Sequence, residues 1–408
     1  MTTKLDRRAL LSIGALAPAI AFAQRSGERP SAPPPPNAPP AELVRLAGQC
    51  VITGWHGAGL PRQVQDLAQQ GALGGVLIAA HNFRDRAQLQ RMTSLLHSWG
   101  PRDKRALVTA DQEGGPVSHL SPPLTSMPSM TALGNLDDED LTHRAGAAMG
   151  EELRNVGVDV DLAPVLDVRT NPRNSVVLGR VFSREPPRAA RHGRAFIDGL
   201  WSAKVLACAK HFPGHGDTAV DSHAGLPRVP HGIERLEAVE LVPFRAVASQ
   251  VASIMVGHIV VSGLDANNPA TLSRAVVDGV LRQRMQYDGV AMTDDLQMAA
   301  IRRTYGHTRA VELAIRAGCD MAMLAHNAEY ARQAINHLAR TAERDSTLRR
   351  RLEESAARVA RMRAKLDAPT PPNPFVVDAQ RLAWEVDYRK SRAGVRGVNA
   401  TRDPTRQR

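Results

Sequence analysis

Apolar and polar residues are distributed along this chain in blocks that have the size of whole secondary-structure elements. Eight short and almost continuously apolar segments recur between residues 50 and 325. In order, they are CVITGW, GGVLIAA, RALVTADQE, VDVDLAPVLDV, VLACAKHFP, VASIMVGHI, GVAMTDD and CDMAMLA. Strands that are buried on both faces have this continuous apolar character, whereas strands with one wet face alternate. The pattern therefore predicts eight buried parallel strands.

Helix-favouring stretches fill most of the gaps between these segments. They cover residues 84–98, 139–156, 187–203, 233–248 and 327–342. Parallel strands need crossover connections of this kind, which are usually helices. Eight strand–helix units over about 280 residues predict an α/β protein built on a single TIM-type (β/α)8 barrel.

Polar residues are concentrated where the apolar segments end. The residues concerned are Asp111, Glu113, Asp167, Lys210, His211, His258, Asp294 and Asp295. In a (β/α)8 barrel the carboxyl ends of all eight strands converge on one mouth, which carries the active site. A doubly wound sheet would instead gather its ligands at one switch point. The distribution favours the barrel.

The two ends of the chain differ from this central region. Residues 1–23 have a basic start, an apolar run and a small-residue exit, which predicts an export signal, and the Arg7-Arg8 pair suggests the twin-arginine route. The alternative is a buried N-terminal helix. Residues 24–41 are rich in proline and predict an extended linker, so the barrel is expected over 42–366. Residues 367–408 are expected to form a basic, partly disordered extension, and the protein is expected to be periplasmic or secreted.

The net charge of +11 raises the question of nucleic-acid binding. The last twenty residues hold seven basic residues and one acidic residue, but no basic patch interleaved with aromatic residues lies in the body of the chain. We therefore expect a solvated tail, with contact to an anionic surface as the alternative, and no nucleic-acid partner. No apolar run is long enough for stable membrane insertion. Cys50, Cys208 and Cys319 are widely spaced in apolar surroundings, which predicts buried fillers.

Two stretches carry residues suited to catalysis. Asp294 follows a buried strand directly, so its carboxylate is held rigidly and is able to attack an anomeric carbon or stabilise positive charge there. The alternative is that Asp294 or Asp295 caps a helix. In the stretch KHFPGHGDTAVDSHAGLP, Asp221 lies two residues before His223 and is placed to orient its imidazole for proton transfer. Lys210 and His211 are donors for sugar hydroxyls.

The same stretch allows two other interpretations. One is a metal site formed by His211, His215, Asp217, Asp221 and His223. This set lacks the HExxH helix pattern, and a glycine-rich loop is a poor rigid cage, so no metal and no other cofactor is expected. The other is an ordinary polar loop, although such loops rarely carry so many titratable groups.

Several motifs together resemble one enzyme family. DQEGGPV, APVLDV, KHFPGHG with DSHAGLP, NPATLS and YDGVAMTDDLQM occur in this order, and they are similar to glycoside hydrolase family three, specifically its β-N-acetylhexosaminidase branch. The resemblance implies a retaining, two-step hydrolysis on a single barrel without metal. It implies that Asp294 is the nucleophile, His223 the acid/base and Asp221 its polarising partner. It also implies that Asp111, Lys210 and His211 bind the terminal N-acetylglucosamine.

The chain departs from the family pattern at two places. The family commonly has DQEGGRV followed by a second arginine, where this chain has Pro116 and His119. The segment SVVLGRVFS is one residue shorter between its glycine and its arginine than is usual, and Arg180 is the natural counterpart of that arginine. Arg180 and His119 are therefore further candidate substrate-binding residues.

These observations lead to one functional expectation and several alternatives. The expectation is a monomeric, retaining exo-β-N-acetylhexosaminidase that removes terminal N-acetylglucosamine from peptidoglycan fragments or related oligosaccharides. The alternatives are a β-glucosidase-like or phosphorolytic enzyme on the same scaffold, an exported glycan-binding protein with decayed catalysis, and a metallohydrolase. Joint retention of Asp221, His223 and Asp294 argues against decay, because binding alone requires neither a nucleophile nor a proton donor.

Overall fold

The structure is a computed structural model that describes residues 38–219, 225–369 and 378–392. The elements described below belong to a unit that begins at Pro39. The predicted export signal, nearly all of the proline-rich linker and the end of the basic tail lie outside the described residues. So do Asp221 and His223, and the expectations for all of these stay predictions.

Eight parallel strands close into a barrel, as the sequence predicts. The strands are β1 Val51–Thr53, β2 Gly75–Ile78, β3 Leu107–Ala110, β4 Val160–Asp161, β5 Leu206–Phe212, β6 Ser253–Val256, β7 Val290–Asp295 and β8 Met321–Leu324. Each strand lies inside one of the eight predicted segments. Consecutive strands pair with each other, and β8 closes the barrel by pairing with β1.

Helices surround the barrel and connect its strands. Those before β5 are α1 Ala41–Gly48, α2 Arg62–Gln69, α3 Arg86–Ser98, α4 Met130–Leu136, α5 Glu139–Asn155 and α6 Pro186–Ser202. The later ones are α7 Ile233–Ala238, α8 Leu241–Val247, α9 Ala299–Tyr305, α10 His307–Ala317, α11 Ala328–Arg344, α12 Ser346–Lys365 and α13 Ala379–Arg392. A π-helix spans Ala275–Arg284, and short 3-10 turns span Ala80–Asn82, Arg102–Lys104 and Ala270–Leu272.

The predicted helix over 233–248 is divided into α7 and α8. Pro243 is the third residue of α8, and in an uninterrupted helix its ring would clash with the carbonyl group four residues earlier. The break places Glu240 in a buried position, where Arg235 forms an ion pair with it at 3.0 Å. The other four predicted helices lie within two residues of the observed bounds.

Two small sheets rise above the carboxyl ends of the strands. Gln112–Gly114 pairs antiparallel with Val117–Ser118 directly after β3. Arg228–Val229, on the return from the β5 loop, pairs parallel with Val260–Val261 after β6. These sheets fix the loops that frame the mouth of the barrel.

The core has an inner and an outer layer. The barrel interior is rich in methionine, which adapts its shape to irregular gaps, and α12 closes the floor with Val359 and Met362. The outer layer lies between strands and helices and contains the buried phenylalanines. The three cysteines are free and fully buried, and burial raises the pKa of each thiol to about 12. The prediction that they are buried fillers is confirmed.

The C-terminal extension is ordered further than Trp384, because α13 packs against α4 and α5. Leu382 and Val386 are buried at this contact. Arg144 binds Glu385 at 3.0 Å, and Arg389 binds Asp138 at 2.8 Å. Within the described residues, no helix is both long and apolar enough to cross a membrane.

Truncation of a buried residue on α13 tests this docking. Leu382→Ala should lower the free energy of unfolding by about 2 to 4 kcal/mol, because it leaves a cavity beneath the helix. The matched control Arg381→Ala, on the exposed side of α13, should change it by less than about 0.5 kcal/mol. Urea denaturation of both variants measures the difference. Equal stabilities would show that α13 does not pack on the barrel in solution.

Candidate active site

The ends of β3 and β5 bring charged side chains together on one side of the mouth. Lys210, near the end of β5, extends its ammonium group to Asp111 Oδ1 at 2.5 Å and to Glu113 Oε1 at 2.7 Å. Lys210 and Glu113 are almost fully buried, whereas the Asp111 side chain is 19 % exposed. Of these three side chains, Asp111 is thus the one that a substrate is able to reach.

Glu113 is held by a second cation. Arg180 Nη2 and Nε donate to the two oxygens of the Glu113 carboxylate at 2.7 and 2.8 Å, and Nη2 lies 3.4 Å from His211 Nε2. Burial alone would raise the pKa of Glu113, but Lys210 and Arg180 outweigh it and lower this pKa to about 2. Arg180 therefore reaches the site despite its shortened segment.

A buried aspartate orients His211. Asp167 Oδ2 lies 2.7 Å from His211 Nδ1, and Asp167 Oδ1 accepts the backbone N–H of His215 at 2.5 Å. Because Nδ1 donates to the carboxylate, Nε2 of His211 faces the mouth and Arg180. We call Asp111, Glu113, Asp167, Arg180, Lys210 and His211 the charge network.

Asp161, at the end of β4, lies beneath this network in a fully buried position. Gln112 donates its backbone N–H to Asp161 Oδ1 at 3.1 Å, while Oδ2 has no hydrogen-bond partner among the described residues. Burial raises the pKa of Asp161 well above its ordinary value, helped by the nearby Asp111 and Glu113 charges. Both causes favour the protonated form of Asp161.

Asp294 lies across the mouth at the end of β7 and is half-buried. Its Oδ1 accepts the backbone N–H of Asp295 at 2.8 Å. Burial would raise the pKa of Asp294, but His258, His211, the Asp295 N–H and Lys210 outweigh it and lower the pKa. The lowered pKa keeps the carboxylate ionised at neutral pH, which is the state that nucleophilic attack requires.

The neighbouring Asp295 has a structural role. Its Oδ1 accepts the backbone N–H groups of Gln297 and Ala325, each at 3.0 Å, and its carbonyl oxygen accepts His258 Nε2–H at 2.9 Å. Helix α9 begins after Met298, so neither aspartate caps it, which contradicts the helix-capping alternative. Asp295 fixes the turn after β7 and leaves Asp294 facing the mouth.

The loop that carries Asp221 and His223 is anchored at both ends. Asp217 Oδ1 accepts the Thr170 hydroxyl at 2.8 Å, and Asp217 Oδ2 lies 2.7 Å from His231 Nε2. These bonds engage Asp217, one member of the proposed metal set. Within residues 38–219, 225–369 and 378–392, no group of three or more His, Cys, Asp or Glu residues is arranged to hold a metal ion.

The remaining substrate-binding candidate, His119, contacts the site through its backbone. His119 has an exposed side chain on the hairpin after β3, and its N–H donates to the Asp111 carbonyl oxygen at 3.0 Å. The sequence-predicted residues Asp111, Arg180, Lys210 and His211 all lie in the charge network. Their roles in substrate binding stay predictions.

Sequence reasoning gave no role to Glu113 and Asp167, although it placed both at strand ends. Glu113 joins Lys210 to Arg180, and Asp167 orients His211, so both act by positioning other residues. The available signal for Glu113 was its spacing of two from Asp111, which places both side chains on one side of an extended segment. No comparable signal in the sequence connects Asp167 with His211.

Comparisons with known proteins identify the family of this chain. The model of the glycosyl hydrolase family 3 N-terminal domain matches residues 52–362. A β-hexosaminidase from Pseudomonas aeruginosa is 34% identical over 70% of this chain and 84% of its own length. Beta-hexosaminidase A from Pseudoalteromonas piscicida is 33% identical over 75% of this chain, which spans 56% of that relative.

A solved structure shows the same fold. The glycoside hydrolase family 3 β-N-acetylglucosaminidase from Paenibacillus sp. str. FPU-7 superposes with a TM-score of 0.77 and 32% sequence identity. The match covers 85% of this chain and 68% of that one. The barrel and the charged residues at its mouth therefore occur in a chain similar to known glycosidases.

Removal of the Glu113 charge tests the charge network. Glu113→Gln should destabilise the protein by about 3 kcal/mol at pH 7, because a pKa lowered from 4.5 to about 2 corresponds to that free energy. The folded pKa lies below the unfolded pKa, so this stabilisation is present above pH 4.5 and is lost as pH falls toward 2. Urea denaturation of both proteins at several pH values should show the gap narrowing over this range. A gap independent of pH would reject the ionised, paired state of Glu113.

Proposed function

Because the chain belongs to glycosyl hydrolase family 3, we propose that it is a retaining exo-β-N-acetylhexosaminidase that uses Asp294 as its nucleophile. The match over residues 52–362 confirms the family resemblance inferred from the sequence motifs. The relatives named above are β-hexosaminidases and a β-N-acetylglucosaminidase, which supports this specificity over that of a β-glucosidase.

The observation that carries the proposal is the ionised Asp294 carboxylate opposite a network of fixed donors. Asp294 has a lowered pKa although it lies among buried strand ends. Lys210 and Arg180 are held in place by carboxylates on the other side of the mouth. An anionic nucleophile facing preorganised donors suits a reaction in which positive charge develops on a sugar that is gripped by its hydroxyl groups.

In the first step, an Asp294 carboxylate oxygen attacks the anomeric carbon. A glycosyl ester forms as the bond from that carbon to the glycosidic oxygen breaks. In our proposal His223, polarised by Asp221, gives a proton to this oxygen, so that the aglycone leaves as a neutral alcohol. The acid form of His223 is the imidazolium cation and its conjugate base is the neutral imidazole, so neither form repels the Asp294 carboxylate.

In the second step, the same residues act in reverse. His223, now without its proton, removes one from water as the water oxygen attacks the anomeric carbon. The ester bond breaks, the Asp294 carboxylate is restored and free N-acetylglucosamine with retained configuration leaves. The products together contain the atoms of one glycoside and one water molecule.

The charge network also accounts for exo action. Asp111, Lys210 and Arg180 fill the side of the mouth above β3 to β5 and would bind the hydroxyl groups at the non-reducing end of the sugar. In our proposal these paired side chains limit this side of the mouth to one sugar. We propose that natural substrates are peptidoglycan fragments or related oligosaccharides, and that residues 1–23 direct the enzyme, as a monomer, to the periplasm or outside the cell.

The first experiment compares initial rates on aryl N-acetyl-β-glucosaminide and aryl β-glucoside. The wild type should prefer the N-acetyl sugar, and Asp294→Asn should lower kcat by roughly three orders of magnitude or more, because no carboxylate remains to attack. The control Asp278→Asn, on the helix Ala275–Arg284 outside the mouth, should keep its rate. Near-normal rates for Asp294→Asn would reject Asp294 as the nucleophile. If folded wild-type protein hydrolyses neither substrate, the proposed enzymatic activity is rejected.

The dependence of the rate on the leaving group tests whether His223 is the acid. His223→Ala should slow hydrolysis of N,N′-diacetylchitobiose by roughly 10²-fold or more, since its departing hydroxyl group needs a proton. It should slow formation of the glycosyl ester from a 2,4-dinitrophenyl glycoside far less, because that leaving group departs without protonation. Pre-steady-state release of the phenol measures this step alone. Equal losses on both substrates would show that His223 is not the acid.

A further inference from the structure

A cleft on the outer wall of the barrel is lined mainly by arginines. It contains a cavity of about 610 Å³ between the π-helix, α10 and the amino-terminal part of α12. Gly318, in the wall of the cavity, lies just before β8, whereas Asp294 stands at the carboxyl end of β7. The cavity is thus separate from the mouth, and its volume is typical of small-molecule sites. We call it the arginine cleft.

The lining of the arginine cleft is strongly positive. Only two of its residues, Asp278 and Glu354, are acidic. Six are arginines, and they come from three separate stretches of the chain. The arginines are Arg274, Arg282, Arg316, Arg350, Arg351 and Arg358. Folding therefore brings together positive charges that are distant in the sequence.

A single buried carboxylate is shared by three of these arginines. Asp320, which is 0% exposed, binds Arg282, Arg351 at 2.6 Å and Arg358 at 3.4 Å. The side chains of Arg282 and Arg351 are only 10% and 15% exposed, so water screens their charges poorly. One negative charge does not neutralise three positive ones, and an additional anion in the cleft would be stabilised.

The acidic residues at the edge of the cleft compensate for only part of this excess. Asp288 lies 3.1 Å from Arg358, and Glu354 lies 3.6 Å from Arg351. Their side chains are 73% and 51% exposed, so water screens both contacts. Asp288 is also shared with Arg361, at 2.9 Å. The interior of the cleft keeps more positive than negative charge.

Several guanidinium nitrogens in the cleft have no acceptor. Arg282 Nε and Arg351 Nη1 are buried and form no hydrogen bond within the described part of the chain. Buried donors without an acceptor are rare in folded proteins. Arg350 is exposed, and no residue among those described forms a hydrogen bond or an ion pair with its side chain. The cleft therefore offers more N–H donors than the protein uses.

This excess of donors indicates the chemistry of a ligand. A guanidinium group presents parallel N–H donors that fit the oxygens of a carboxylate or a phosphate. A carboxylate holds two oxygens in one plane, whereas a phosphoryl group directs three acceptor oxygens to different sides and carries more charge. A phosphoryl group is thus better suited to arginines that approach from three elements. Leu272, Leu313 and Leu348 add apolar surface, where charges attract more strongly than in water.

We propose that the arginine cleft binds a compound with at least two linked phosphoryl groups. A single phosphoryl group would engage only part of a lining with six arginines around a cavity of this volume. The arginine cleft shares no residue with the charge network and lies away from Asp294. The inference goes beyond the proposed function and does not depend on it.

Calorimetric titration of the protein with inorganic pyrophosphate at constant ionic strength tests the proposal. The wild type should bind pyrophosphate at least about 10-fold more tightly than sulfate, because two linked groups reach more guanidinium groups. Arg350→Gln should weaken pyrophosphate binding by about 10-fold, since a charge-assisted hydrogen bond is lost. Arg274→Gln, whose side chain contacts Asp278 at 3.3 Å, should weaken it by about 3- to 10-fold.

The matched control is Arg91→Gln, which makes the same change of charge outside the cleft. Arg91 is exposed on α3, and its side chain has no ion-pair partner in the described ranges. This variant should bind pyrophosphate as the wild type does. Arg350→Gln should keep the wild-type rate on the aryl glycoside and the wild-type melting temperature, because its side chain is exposed and unpaired.

Three results would overturn the proposal. They are no binding of pyrophosphate, equal affinities for pyrophosphate and sulfate, and equal losses in Arg350→Gln and Arg91→Gln. The last two would indicate general attraction of anions to a basic surface. The titration involves no turnover, so failure of the protein to hydrolyse either aryl glycoside would reject the proposed function and leave this site intact.

Vesicles distinguish the source of the phosphoryl groups once pyrophosphate binding has been measured. The wild type and Arg350→Gln are sedimented with phosphatidylcholine vesicles that contain or lack phosphatidic acid. Sedimentation that needs both phosphatidic acid and Arg350, and that pyrophosphate abolishes, would support the site and assign the phosphoryl groups to lipid headgroups. Pyrophosphate binding that needs Arg350, without such sedimentation, would support the site and assign them to a soluble compound.

Discussion

The buried Glu113 carboxylate and the two cations that share it hold the mouth of the barrel together. The Glu113 side chain is 0% exposed, so burial without Lys210 and Arg180 would raise its pKa. Without Glu113, two cations would be buried with too few partners. These bonds connect the end of β3, the end of β5 and the segment before α6. The positions of Asp111 and His211 follow from them.

The same arrangement contributes to the state of Asp294. His258, which contacts Thr271 and the Asp295 carbonyl oxygen, lowers the pKa of Asp294 most, and the charge network adds His211 and Lys210, whose positions its carboxylates fix. Asp294 is therefore ionised although burial opposes it. Its neighbour Asp295 accepts the backbone hydrogen bonds of the turn and lies 3.2 Å from His326 Nε2.

Much of this architecture could be predicted because it depends on local patterns. The eight strands are short and buried on both faces, so each one leaves a continuous apolar signature. The division at Pro243 and the docking of α13 were missed for different reasons. The division depends on a steric clash of the Pro243 ring, which exists only once the helix has formed. The docking depends on how Leu382 and Val386 fit a surface formed by α4 and α5.

The sequence by itself determined the fold class, the family and which strand ends carry chemical groups, because apolar periodicity and motif order are properties of the chain alone. Only the tertiary structure decided which of these groups are partners. Asp167 and His211 are 44 positions apart and Glu113 and Arg180 are 67 apart, yet each pair forms direct hydrogen bonds. Barrel closure brings β8 beside β1, so His56 and His326 become neighbours across almost the whole domain. Ionisation states depend on these distances and on burial, neither of which exists before the chain has folded.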